Sequence, residues 1–446
     1  MKRSSGLPIN RDQGSGAPFL GLRTICYPAT SLLAGLFAAQ VIATLQVYLS
    51  NKVLYRTLTA INDAGYLAVP NQQIMNSLQE FGPALYGGLL FTLSVGAGLS
   101  LLSFAAAWAW DRLFSRNTIP LIFLLFLWAG SLAAANLKGF SPMVSAYFFV
   151  IPTVVFWVTL RLMPPQTKPG PWFYRIVPLI PIALLACLWG TQMDGHLFVD
   201  LRDKLLLSNP LGTRITGFYY RYTLYPAEVF KSLDHKTIKT CNLEQIKKRS
   251  LKRLLEGKLL NYDYLNTGGD GEVDLTIREE GKTLILENRG EVILRTTAND
   301  FLSAPANILK QFSSETDRYP FFRQFTFLSL LIGFPIALYI FLYTILLSLL
   351  SRFFDLRASS VAASILCVSA GILLLMPVLL GKTVMIDKKD LSQTLESGRW
   401  QERSAVDDLL KRIEESDKWY DQWRAYRALR ALGWKQVRSK QAIKAD

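Results

Sequence analysis

Residues able to carry nucleophilic, acid–base or metal chemistry are few in this chain, and none stands at a spacing that such chemistry uses. The only histidines are His196 and His235. A membrane metalloprotease needs two histidines on one helical face, so that class is excluded. Cys26, Cys187 and Cys367 fall in apolar runs, which leaves Cys241 by itself in polar sequence. That pattern forbids a disulfide within the polar region and supplies no thiolate metal site. Asp270, Glu272 and Asp274 alternate as calcium ligands do, but Leu275 stands where a calcium loop requires glycine. The one acid placed to serve a transferase on a lipid-linked substrate is Asp63, just beyond the first apolar run. No catalytic residue, cofactor or metal is expected, and a non-enzymatic role leads.

Inside the apolar runs the chemistry is that of neutral polar groups. Gln40 and Thr44 are four residues apart, share a helical face and are suited to hydrogen-bond neighbouring helices; the sharper alternative is a polar path for cargo. No Asp, Glu, Lys, Arg or His lies at the centre of a run. Ion-coupled carriers usually place ionisable groups there, so only neutral or lipid cargo fits. Ser94 with Gly98, and Gly96 with Ser100, put small residues four apart, which lets helix backbones approach closely.

Seven uncharged runs position these groups, at about 25–50, 82–110, 119–137, 143–160, 176–190, 324–350 and 358–381. Most reach the roughly 18 residues needed to cross a bilayer; the fifth is short and carries Pro178 and Pro181. The expected fold is an α-helical polytopic membrane protein of about seven transmembrane helices. It consists of an N-terminal arm (1–24), helices one to five (25–190), an inserted α+β soluble domain (191–320), helices six and seven (321–381) and a short α-helical C-terminal tail (382–446).

The net charge of +15 is not a nucleic-acid footprint. Residues 191–320 hold 19 Lys and Arg against 18 Asp and Glu, and the tail 15 against 11. The remaining excess of ten therefore flanks the apolar runs, where charges set orientation. With the N-terminus inside, eleven basic residues of the short loops and N-terminal flank lie inside and only Lys52, Arg56 and Lys138 outside. The N-terminus is thus expected in the cytoplasm, and residues 191–320 and the tail outside a bacterial inner membrane. The expected partners are the lipid bilayer and a protein, another subunit or a second copy of the chain, with no nucleic acid.

Several elements of the inserted region are legible. Loop 51–81 has room for an amphipathic helix lying on the membrane. The aromatic run Phe218, Tyr219, Tyr220, Tyr222 and Tyr225 suits the water–lipid boundary or a core edge, and Pro226 opens a short helix through Leu233. Asn242 with Gln245 has capping-box form and predicts a basic helix ending at Glu256–Gly257. From Val273 the apolar period becomes two, with turns at Glu280–Gly281 and Arg289–Gly290, which predicts a three-stranded antiparallel meander. A helix over 299–313 leads back to the membrane.

The tail reads as three short helices with breaks at Gly398 and Ser416–Asp417. In the last, Trp419, Trp423 and Tyr426 recur at spacings of three and four, and Arg424, Arg427 and Arg430 form an adjacent ridge. Together with Asp417, Ala425, Ala428, Leu429, Leu432 and Gly433, this pattern over about 400–434 resembles one helical pair of a HEAT repeat. The resemblance implies a protein-interaction role. One such unit cannot bury its own apolar face, so the stripe must pack on the inserted domain, on the membrane or on a partner. The leading expectation is a membrane scaffold or assembly subunit presenting soluble surfaces outside. The alternatives are a permease or lipid-handling subunit, and a transferase acting on a lipid-linked substrate.

Overall fold

The computed structural model describes residues 17–164, 179–190, 229–236, 238–268, 272–379 and 402–436, with isolated positions between 212 and 222. Helix α1 (Ala17–Asp63) is a single rod of 47 residues. From Leu36 to Ala64 the sequence offers neither glycine nor proline, so nothing breaks it along that length. It stops at Gly65, whose φ of +80° lets the Tyr66 amide donate back to the Ile61 carbonyl. The expected surface-lying helix in 51–81 is therefore corrected: α1 itself continues through those positions, followed only by short α2 (Gln72–Ser77).

Helices α3 (Phe81–Phe91) and α4 (Ala97–Arg112) form one continuous span through a π-helical segment, Thr92–Gly96. Helices α5 (Thr118–Ala135) and α6 (Pro142–Leu162) make a hairpin, joined where the Trp128 indole N–H donates to the Phe148 carbonyl. Helix α7 (Leu179–Gly190) follows. Among the described residues six helices are long and apolar enough to cross a membrane. Helix α7, the fifth of the seven expected runs, has 12 residues and is not one of them. It nevertheless packs on the bundle, with Leu185 against Gly371.

The ends of the bundle can be told apart. At one end Arg112 donates to the Pro164 carbonyl. At the other, Lys138 donates to the Ser314 carbonyl. The chain therefore crosses back between Pro164 and Ser314. All described soluble structure lies at the second end, called here the cap end.

There the sheet has five strands: β1 (Lys239–Asn242), β2 (Tyr264–Asn266), β3 (Leu275–Glu280), β4 (Thr283–Asn288) and β5 (Glu291–Thr297), in the order β2-β1-β3-β4-β5. The three antiparallel strands β3–β5 are the expected meander. Strands β1 and β2 extend it in parallel, linked through α8 (Arg249–Leu260). Asn242 does not cap that helix. Its side chain instead accepts from the Glu244 amide in a tight turn, and α8 begins seven residues later and runs through Gly257. Arg249 and Arg253 of α8 are exposed, as are Lys247 and Lys248 just before it, while Leu255 and Leu259 are buried in the cluster that includes the sheet. The single helix expected at 299–313 is two, α9 (Ala298–Ser303) and α10 (Pro305–Thr316), because Pro305 starts a new N-terminus.

Helix α11 (Pro320–Leu328) re-enters the bundle and continues through a second π-helical segment, Ser329–Gly333, into α12 (Phe334–Leu350); α13 (Leu356–Leu379) returns to the cap end. The tail contributes α14 (Glu402–Glu415) and α15 (Trp419–Ala431), broken at Ser416–Lys418 as the sequence suggests. The expected break at Gly398 lies outside the described residues.

Candidate ligand cleft

Three stretches remote in sequence meet at the cap end: the upper third of α1 with residues 64–78, the sheet domain, and the tail. Leu58, Ile61, Tyr66 and Met75 share an apolar cluster with Leu265 of β2 and with Trp419. Val69 shares a second one with Ile413, Tyr426 and Leu429. Polar joints fasten the same contact. The Gln436 side chain accepts from the Leu67 amide (2.9 Å) and donates to the Leu67 carbonyl (3.1 Å). The Gln422 carbonyl oxygen accepts from the Asn71 amide at 2.8 Å. Arg430 pairs with Asp263 at 2.8 Å, and the Tyr426 hydroxyl donates to the same carboxylate.

The sequence-selected stripe is therefore spent within the chain. Trp419 and Tyr426 are buried, Trp423 and Arg430 are half-buried, and only Arg424 and Arg427 face outward. Burial pushes the Asp263 carboxyl above its ordinary range, against the pull of Arg430 and Lys239. A raised folded value means that the docked form holds the proton more tightly than the undocked one. The resulting stabilisation is complete below the ordinary carboxylate value and lost as pH rises through the raised one. Amide exchange within 419–431, corrected for intrinsic rate, should therefore slow as pH falls from about 7 to about 4. In Asp263→Asn that dependence should vanish.

Between these elements lies a cleft of about 230 Å³. Its apolar wall is one flank of α1, from Ser50 through Val53, Leu54 and Thr57 to the buried Ile61, roughly 16 Å along the helix. Trp419 and Trp423, with ring centroids 5.5 Å apart, complete that side. The opposite wall is polar. Lys236 pairs with Asp274 at 2.8 Å, and Asp274 also accepts from the Thr240 amide. At the rim Arg289 pairs with Glu272 at 2.8 Å, both about half exposed.

The floor is residues 316–319, immediately before α11. Asp317 accepts there from both terminal guanidinium nitrogens of Arg323. Burial raises its carboxyl value, but the hydrogen bonds from Arg323 and the Tyr319 amide outweigh this and hold it below the ordinary range. Arg323 also donates to the Phe230 carbonyl. The Phe230 ring drops into the bundle core against Phe91 and Phe322 (5.3 and 4.6 Å). The floor of the cleft is thus pinned to the membrane helices.

The second group selected from sequence sits deeper. Gln40 donates to Thr44 and to the Leu85 carbonyl, and its carbonyl oxygen accepts from Thr92 at 2.8 Å. Gly88 makes this possible, because a Cβ there would lie 3.0 Å from both Gln40 Nε2 and the Thr44 amide. This network joins α1 to the α3–α4 span, and the cleft does not include it. Asp63 is exposed at the tip of α1, likewise outside the cleft. Of the aromatic run, Phe218 and Tyr222 pack on Tyr86 of α3; Tyr219, Tyr220 and Tyr225 lie outside the described residues.

Of the cleft residues, sequence reasoning singled out Trp419 and Trp423 and missed the polar wall. Asp274 and Glu272 drew notice only as failed calcium ligands, Arg289 only as a turn residue, and Lys236 carries no local signal. Comparison of the chain with protein-family models, with curated proteins and with solved structures finds no match.

Proposed function

We propose that the protein is a lipid-handling membrane subunit that holds the polar part of a bilayer lipid in the cleft at its cap end. The observation that carries this reading is the position of the cleft. It starts at Ser50 and Tyr319, where two membrane helices leave or enter the bundle, and it has one apolar and one charged wall. A molecule with an apolar body and a polar head matches both walls without leaving the bilayer edge. The basic residues Arg112, Arg116, Arg161, Arg352 and Arg357 near the far end support placing that end in the cytoplasm and the cap outside, in a bacterial inner membrane. The HEAT-like pairing of the tail would then act inside the chain, closing the cleft with its tryptophans.

A photoreactive phospholipid reconstituted with the protein should label peptides covering 50–61 and 231–240. Thr57→Trp, which fills the cleft from the α1 side, should lower that labelling about tenfold. Labelling confined to the outer faces of the bundle, unchanged by Thr57→Trp, would sink the reading.

The scaffold reading keeps one observation in its favour. Helix α5 has only 6% of its apolar window buried, which leaves a whole helix face for lipid or for a partner helix. Mass measurement in nanodiscs decides between them: a single chain argues against a homo-oligomer.

A further inference from the structure

Resting on the lipid-handling reading, we infer that the head group taken by the cleft is zwitterionic, a phosphodiester carrying an amine, rather than simply anionic. The polar wall is not a basic patch. Lys236 is committed to Asp274 at 2.8 Å, and the same carboxylate is fixed by the Thr240 amide and hydroxyl. Arg289 is committed to Glu272 at 2.8 Å. Asp317 on the floor is likewise engaged, by Arg323. Lys236, Arg289 and, on the floor, Arg318 thus each have a carboxylate within contact distance.

A ligand bearing only negative charge would have to draw a cation away and leave that carboxylate facing it, a like-charge juxtaposition that electrostatic complementarity penalises. A ligand with one phosphate and one ammonium avoids this. At the rim pair, the phosphate takes the Arg289 guanidinium while the ammonium takes the Glu272 carboxylate, so both side chains exchange one partner for another. That pair is the one most open to exchange, since Arg289 and Glu272 are 53% and 57% exposed and half-exposed ion pairs are weakly held. Trp419 and Trp423 add aromatic rings on the opposite side, a surface for the methylene part of the ligand.

The test uses the full-length protein in nanodiscs containing equal amounts of phosphatidylethanolamine and phosphatidylglycerol, with lipid retained on the released protein read by native mass spectrometry. Retention should favour phosphatidylethanolamine about tenfold. Glu272→Gln, an exposed position whose thermal melt should match the parent protein, should reduce that preference at least threefold without abolishing retention. Thr57→Trp should abolish retention of both lipids. Equal retention, or a preference for phosphatidylglycerol that Thr57→Trp still removes, would overturn the zwitterion inference while leaving a lipid site in place. Retention of neither lipid, or retention untouched by Thr57→Trp, would overturn the site itself. An unchanged preference in Glu272→Gln would remove the role assigned to the rim pair.

Discussion

Gly333→Val is expected to prevent the bundle from closing, with loss of most folded protein from detergent extracts. The reason is backbone against backbone. A Cβ on Gly333 would sit 2.9 Å from Gly98 Cα and 3.2 Å from its amide nitrogen. No rotamer change relieves that, as it would if the obstacle were the end of a side chain. On the other side of the contact, a Cβ on Gly98 would strike the Ser329 side chain. The π-helical segments Thr92–Gly96 and Ser329–Gly333 touch at this crossing, so each helix brings an irregular turn to the other. Overpacking usually costs about 1–3 kcal/mol, and a backbone obstacle belongs at or above the upper limit. Gly130→Val on α5 is the control, because nothing lies within 4 Å of that Cβ. Equal thermal aggregation midpoints for the two variants would refute the account.

Tyr426→Ala should undock the tail while leaving the membrane bundle intact. Tyr426 is fully buried, lies edge-on to Trp434, donates to Asp263 and accepts from Gln436. Truncating a large buried aromatic costs about 3–5 kcal/mol, which here falls on one local contact rather than on the whole fold. Proteolytic release of a fragment containing 402–436 should accelerate by roughly a hundredfold or more. Arg427→Ala, altering an exposed neighbour one residue away, should leave the rate unchanged. The same rate for both variants would mean that the stripe is not what holds the tail.

Elements whose signal is local were legible in the sequence. The membrane helices declare themselves by length and lack of charge. The meander shows in the alternation of Leu275 and Ile277 and in glycines with positive φ at 281 and 290. Strands β1 and β2 were hidden because they are only four and three residues long, and β1 is largely polar. Lys239 is buried in β1 with its ammonium over the Tyr264 ring, 4.8 Å from the centroid. No period of two can emerge from so short a segment, and a lysine argues against burial. The α15 stripe was visible, but its partner was not: the surface that covers it comes from residues 58–75 and 238–265. The cleft was invisible for the same reason, since its walls belong to α1, the sheet domain, the approach to α11 and the tail, and exist only once the tail has docked.

The unbroken length of α1 makes it a lever. The part inside the bundle and the 13 residues beyond Ser50 form one continuous helix, so a lean of the former is passed to the tip and to the sheet domain and Trp419 packed at Leu58 and Ile61. A lean of about 10° carries Asp63 roughly 3 Å sideways relative to Ser50. The cleft lies between that arm and residues 316–319, which are anchored to a different helix by Asp317, Arg323 and Phe230. A shift of that arm against residues 316–319 would therefore change the width of the cleft.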